Sequence, residues 1–331
     1  MTAVARAPKP KKPATASVTG RARAKRVAAQ KPARRRKKRL RKHLHVRVAA
    51  AQATSGCIKA VLSAWTRVAR DVQQETVHEF RVALRTLRVV LHIFRTVIPS
   101  GQADELRQAL RKLAEDAGHL RDFDVLIDDI VTPLRKSAGP AGVSALIAAL
   151  QRERTVARHE FESIVENESA RDLRQSLVEF DQQWCRATEL PDHGPRVGRF
   201  ARRDLRRRWR RLAKRASAVA GRNPQTLHEM RKALKKLRYA FEYFAPLWPK
   251  RQRKPFLQRM QQLQSQLGYA NDVRNAGKLA ERSDLANAAV GFTVGFVLGT
   301  HNERLERTRT LIAKDWKRLA ATDVARSLAK R

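Results

Sequence analysis

VHEFRVALRTLRVVLHIFR (residues 77–95) places His78, Arg81, Arg85, Arg88 and His92 at successive spacings of three, four, three and four. At about 100° per residue these five fall within an arc of roughly 80° on one side of a helix. Phe80, Ala83, Leu87 and Phe94 centre on the opposite side, and Leu84 and Leu91 widen that apolar stripe. A helix divided in this way is anchored in a bundle by one face and carries a cationic ridge on the other. LHEMRKALKKLRYAFEYF (227–244) repeats the division, with His228, Arg231, Lys235 and Arg238 opposed to Met230, Ala233, Leu237 and Phe244.

The two stretches belong to an internal repeat at an offset of 150, which runs without a gap from Thr76–Asp122 onto Thr226–Asp272. Beyond the ridges, Phe94, Pro99, Gln108, Leu113, Gly118 and Asp122 match Phe244, Pro249, Gln258, Leu263, Gly268 and Asp272. From His43 onward apolar residues recur at three and four, Gly and Pro collect in short gaps, and no stretch alternates with period two. The pattern predicts an all-α protein of two repeated helical bundles related by a pseudo-twofold, residues 43–190 and 191–331, with the boundary near 189–195. Residues 1–42 are Ala, Lys, Arg and Pro with few large apolar side chains, and are expected to form a disordered basic tail. The uncharged run Leu285–Thr300 is 16 residues long with three glycines. It is too short for a membrane span and predicts a buried helix packed closely through its small residues.

The 331 residues carry 71 Lys+Arg against 31 Asp+Glu, a net charge of +40. Residues 1–47 hold 18 of the cations and no acid, so the remainder still has 53 basic against 31 acidic residues. The natural partner is a polyanion. A solvated helix face mixes signs and gains from i,i+4 pairs of opposite charge; these ridges are nearly all positive, which destabilises a helix by a few tenths of a kcal/mol per like pair. Both copies carry that cost at matching positions, so an anion is expected to supply the missing charge. Arg forks and Lys ammonium groups at intervals of ~5 Å suit a row of phosphates. A histidine heading each ridge can donate when neutral and add charge when protonated.

The motif His-x-x-Arg-x-x-x-(Arg/Lys)-x-x-Arg in VHEFRVALRTLR and LHEMRKALKKLRY, followed by LRDFDVL (120–126) and QLGYAND (266–272), resembles the CHAD family, the conserved-histidine α-helical domain. The similarity covers residues 43–331. It implies two helical bundles with a basic groove between them that binds inorganic polyphosphate without catalysis. Carried onto this sequence, the ligand-facing residues are His78, Arg81, Arg85, Arg88, His228, Arg231, Lys235 and Arg238, with His92, Arg121, Lys232 and Lys236 as secondary contacts. The long basic tail is not something the domain requires. No ExExK strand signature is present, so the tunnel-type triphosphatase that often accompanies the domain is not expected.

Other chemistries find little support. His78-Glu79 and His228-Glu229 begin an HExxH pattern, but Val82 and Lys232 stand where the second His is needed. Asp122 and Asp124 form a DxD pair, yet Arg274 replaces the second acid in the other repeat; Asp122 and Asp272, the pair that repeats, are expected to cap a helix or hold a ridge arginine. No metal or other cofactor is expected. Cys57 and Cys185 fit no zinc or disulfide spacing and read as core thiols in a reducing compartment. Without an apolar leader run the expected place is the cytoplasm, on polyphosphate granules or the nucleoid; the Lys-Pro clusters break the amphipathic helix of a transit peptide. No P-loop signature occurs. DNA is a second expected partner, through the tail RARAKRVAAQKPARRRKKRLRK (21–42), which has the composition of a nonspecific DNA-binding arm. Only 6% of residues are aromatic, and Trp184, Trp209, Trp248 and Trp316 sit at core positions, which leaves little for base stacking.

Overall fold

The computed structural model describes residues 40–98, 100–135, 140–187, 194–218, 224–282 and 288–330. The expected tail therefore lies outside the described residues up to Arg39, as do most of the 189–195 boundary and the side chain of Cys185. The described chain is all-α: α1 (Val46–Arg70), α2 (Gln74–Ile93), α3 (Ser100–Val125), α4 (Pro140–Glu166), α5 (Glu168–Ala187), α6 (Val197–Ser217), α7 (Pro224–Phe244), α8 (Lys250–Arg282), α9 (Ala288–Ala320) and α10 (Asp323–Ala329). A π-helical turn, Leu126–Val131, continues α3. Helix starts recur near the offset of the sequence repeat: α2 and α7 begin at Gln74 and Pro224, α3 and α8 at Ser100 and Lys250.

The ridge helices form as their periodicity requires. On α2, Phe80, Leu84, Leu87 and Leu91 are buried, and on α7 Met230, Leu234, Leu237 and Phe241 are buried. The start of α2 is closed by a capping box, with Gln73 and Thr76 satisfying each other's backbone N–H groups. Successive helices pack on one another, α1 on α2, α2 on α3, α3 on α4, and likewise α6 on α7, α7 on α8, α8 on α9. Contacts between the two sets run through α2 with α7, α4 with α9 and α1 with α6.

A reciprocal tie at the helix entrances also joins the two sets. Val46 N, the first donor of α1, bonds Pro195 O at 3.0 Å, while Val197 N, the first donor of α6, bonds Leu44 O at 2.9 Å. Each helix start thus finds its missing acceptor in the segment leading into the other. His45 and Arg196 form an isolated bridge at the centre of this exchange. Gly198 N extends it to Lys42 O at 3.1 Å, and Leu40 packs against the core. Leu40 and Lys42, expected as tail, thus contact the folded unit, Lys42 through the carbonyl that α6 takes at Gly198 N.

The glycine-containing run at the start of α9 packs differently from expectation. Thr293, Val297 and His301 are buried, but a Cβ added at Gly295 or Gly299 would meet nothing within 4 Å, so these glycines face outward. The close approach is made from the other side: a Cβ at Gly142 of α4 would lie 2.4 Å from Thr293 Oγ1. No described helix is long and apolar enough to cross a membrane. Cys57 is half-buried against the core, and Trp184 and Trp209 are buried, with Trp248 and Trp316 partly so.

An aromatic cluster makes the two sets cooperative. Phe94, at the end of α2, stacks on Phe200 of α6 (5.6 Å) and meets Tyr243 and Phe244 of α7 edge-on (5.4 and 6.3 Å). Phe94→Ala is expected to cost about 3–5 kcal/mol of stability. Calorimetry should still show one transition, at lower temperature, since both sets lose the same contact. Two resolved transitions in the wild-type protein would show that the sets fold independently.

Candidate functional site

Helices α2 and α7 meet along their charged sides as well as their apolar ones. Lys235 of α7 is enclosed by protein and by the fields of Arg231 on its own helix and of Arg85 and Arg81 on α2. Arg81 is held from behind: one guanidinium nitrogen donates to Ala117 O (3.0 Å) and Gly118 O (2.9 Å) near the end of α3. Arg85 reaches across to α7 and lies over the Tyr239 ring, 4.9 Å from its centroid, and Arg238 lies over the same ring at 4.7 Å. The Tyr239 hydroxyl is buried and makes no hydrogen bond among the described residues. Arg238 also pairs with Glu242 at 2.7 Å.

Asp122 of α3 and Asp272 of α8 stand within this cluster. Both lie inside helices, so neither caps one; Asp122 instead feels Arg81 and Arg231, and Asp272 feels Lys235. Asp122 keeps solvent contact but is walled by protein, and that desolvation raises its carboxyl above the usual range against the pull of Arg81, with Asp272 adding to the rise. Asp124 belongs elsewhere: buried, it pairs with Arg121 (3.2 Å) and Arg154 (2.7 Å). Arg121 is thereby anchored beside His78.

The outer ridge residues diverge from the centre. Arg88 turns toward Glu115 and Arg111 of α3, and burial lowers its pKa. His92 is pushed down to about 4, by burial first and then by Arg208, Arg95 and Lys236, so it is neutral at ordinary pH. Lys232 is exposed and pairs with Glu229 at 3.3 Å. His78 and His228 are both shifted below the ordinary histidine range, chiefly by desolvation. His228 Nδ1 bonds Asn271 Oδ1 at 3.0 Å. With that N–H spent on Asn271, the neutral ring presents a bare Nε2, which accepts and does not donate; an anion there requires the ring to be protonated.

The CHAD domain family model matches residues 52–281, more than half of the chain. The chain belongs to the CHAD domain family. Among solved structures, the CHAD domain from the plant Ricinus communis is 24% identical with a TM-score of 0.74, over 89% of this chain and 99% of that one. PptA from Streptomyces chartreusis is 16% identical with a TM-score of 0.64, over 83% of this chain and 100% of that one. No curated protein matches.

In this CHAD domain, then, Arg81, Arg85, Arg231 and Lys235 converge from two helices, His78 and His228 flank them on the same helices, and Lys232 pairs outside the cluster with Glu229. Sequence reading missed Tyr239 and Asn271. Tyr239 follows Arg238 directly, but Val89 occupies its place in the first repeat, so nothing in the repeat marked it. Position 271 likewise corresponds to Arg121, and only the contact with His228 reveals its role.

The crowding has a measurable consequence. Lys235 is drawn down to about 7, by burial first and then by Arg231, Arg85 and Arg81. In the unfolded chain a lysine titrates near ~10.4. Between those values the unfolded state holds a proton that the folded state lacks, so stability rises with pH across this window, and below it the full cost of the buried charge is present. Lys235→Met is expected to raise Tm at pH 6–7 by on the order of several °C, with the gain shrinking to nothing as pH approaches ~10. Thermal melts of both proteins across this range check it.

Proposed function

We propose that this CHAD protein binds inorganic polyphosphate without catalysis, as a linear chain lying in a basic groove between two helical bundles related by a pseudo-twofold axis. His78, Arg81, Arg85 and Arg88 line one side and His228, Arg231, Lys235 and Arg238 the other. On this reading the protein localises to, or organises, polyphosphate in the cytoplasm. The observation that carries it is the convergence on Lys235: three guanidinium groups from two helices surround it, with Asp122 and Asp272 as the carboxylates acting on the same groups. Such a site holds more positive charge than it can neutralise, and a dense row of phosphates supplies the deficit. Arg groups give bidentate contacts, and Tyr239 holds two of them in place so that less side-chain freedom is lost on binding.

Charge reversal tests the site. Arg85→Glu and Lys235→Glu each remove a phosphate contact and add a repulsive carboxylate, and each is expected to weaken polyphosphate binding by on the order of 2–4 kcal/mol. Lys59→Glu on the exposed face of α1 should cost at most about 1 kcal/mol. If one chain contacts both ridges, the double variant is non-additive. Wild-type affinity in both single variants, with helicity intact, would sink the assignment.

Binding should also carry protons. Phosphate favours protonated Lys235 and protonated His228, so association near pH 8 takes up protons and affinity rises as pH falls. Titration calorimetry in buffers of different ionisation enthalpy measures the uptake directly. An apparent enthalpy independent of buffer would show that neither group changes charge on binding.

A further inference from the structure

Helix α6, VGRFARRDLRRRWRRLAKRAS, carries ten Arg or Lys and one acid in 21 residues. That acid, Asp204, is buried and is consumed by Arg208 (2.5 Å) and Arg207 (2.6 Å). Val197, Ala201, Leu205, Trp209 and Leu212 fix the inward face. On the opposite side Arg199, Arg202, Arg203, Arg206, Arg210 and Lys214 fall within an arc of about 120°. None of these six has an ion pair or a side-chain hydrogen bond among the described residues, and all but Arg206 are exposed. Like charges at i,i+3 and i,i+4 oppose helix formation, so the stripe calls for a ligand as the ridges do. It is not a copy of anything in the first repeat: α1, the corresponding helix, has four cations in 25 residues, and Arg67 among them is paired with Glu79.

We infer that the outer face of α6 is a second polyanion site, separate from the ridges, and that its ligand is the phosphate backbone of duplex nucleic acid. The ridges are crowded enough to strip a proton from Lys235, which suits a thin polymer entering between helices; a duplex is too thick to follow it. The α6 stripe faces outward over a length of roughly 22 Å, where a duplex presents a charge every ~1.7 Å of its axis. Arg202 and Arg206 also line a cavity of about 910 Å³ with Arg326, which is paired with Asp323, and with Lys42 and Lys330, which widen the cationic surface beyond a single row. Exposed cations in a row along one helix face engage backbone phosphates, contacts that fix position and carry no sequence information.

The test uses the full-length chain and a fluorescent duplex of mixed sequence, titrated at salt from roughly 50 to 200 mM. The fourfold variant Arg199→Gln, Arg203→Gln, Arg206→Gln, Arg210→Gln is expected to lose at least about tenfold in duplex affinity and about three units of the log-log salt slope. Its polyphosphate affinity should match wild type, while Arg85→Glu should retain duplex binding. If the fourfold variant does not fold, the pair Arg203→Gln, Arg210→Gln should show about half the slope change. Unchanged duplex affinity and slope, or no duplex binding by the wild-type chain, overturns the proposal. A fourfold variant that loses polyphosphate binding and keeps duplex binding also overturns it, by assigning the stripe to polyphosphate; neither result bears on the ridges, which Arg85→Glu tests alone.

Discussion

Two helices that pack face to face while both carry positive charge along the seam set the main constraint on this fold. Arg81, Arg85, Arg231 and Lys235 repel one another, and the molecule contains that repulsion in three ways. Arg81 is tied to the backbone carbonyls of Ala117 and Gly118 on α3, which accept two hydrogen bonds from its guanidinium. Arg85 and Arg238 rest on the electron-rich face of one tyrosine. Lys235, with neither support, sheds part of its charge. The apolar faces opposite, built on Phe80, Leu84 and Leu87 and on Met230, Leu234 and Leu237, hold the helices in place despite the seam.

Those apolar faces are what sequence could reveal. Periodicity fixes which side of a helix is buried, so α2 and α7 were legible, and their ridges with them. It does not fix which helix lies across the ridge, and so Arg85 meeting Tyr239, or His228 meeting Asn271, could not be read from spacing. The same limit explains the glycines of α9. A run of small residues signals close packing, but Gly295 and Gly299 face outward and the intimate contact comes from Gly142, more than 140 positions away. The entrance tie between residues 42–46 and 195–198 was hidden for a different reason: it consists of backbone groups, which no side-chain pattern encodes.

The site residues separate by the same physics. Those at the centre draw on groups of other helices: Arg81 on the carbonyls of Ala117 and Gly118, Arg85 on Tyr239, and Lys235 on the field of Asp272. Arg238 and Lys232 find partners one turn away on their own helix, Glu242 and Glu229. A motif drawn as a row of equivalent cations is thus, in three dimensions, a set of cations with unlike surroundings.

Helix α6 shows that charge density alone does not define the environment a ligand meets. Its outer stripe holds six cations, five of them exposed and Arg206 partly so. Screening weakens each such contact and leaves attraction that depends on the number of phosphates engaged and on salt. At the seam the low local dielectric strengthens each contact and makes it depend on protonation. On the two proposals, one chain would carry two cationic surfaces with opposite sensitivities, the seam responding to pH and the stripe to ionic strength.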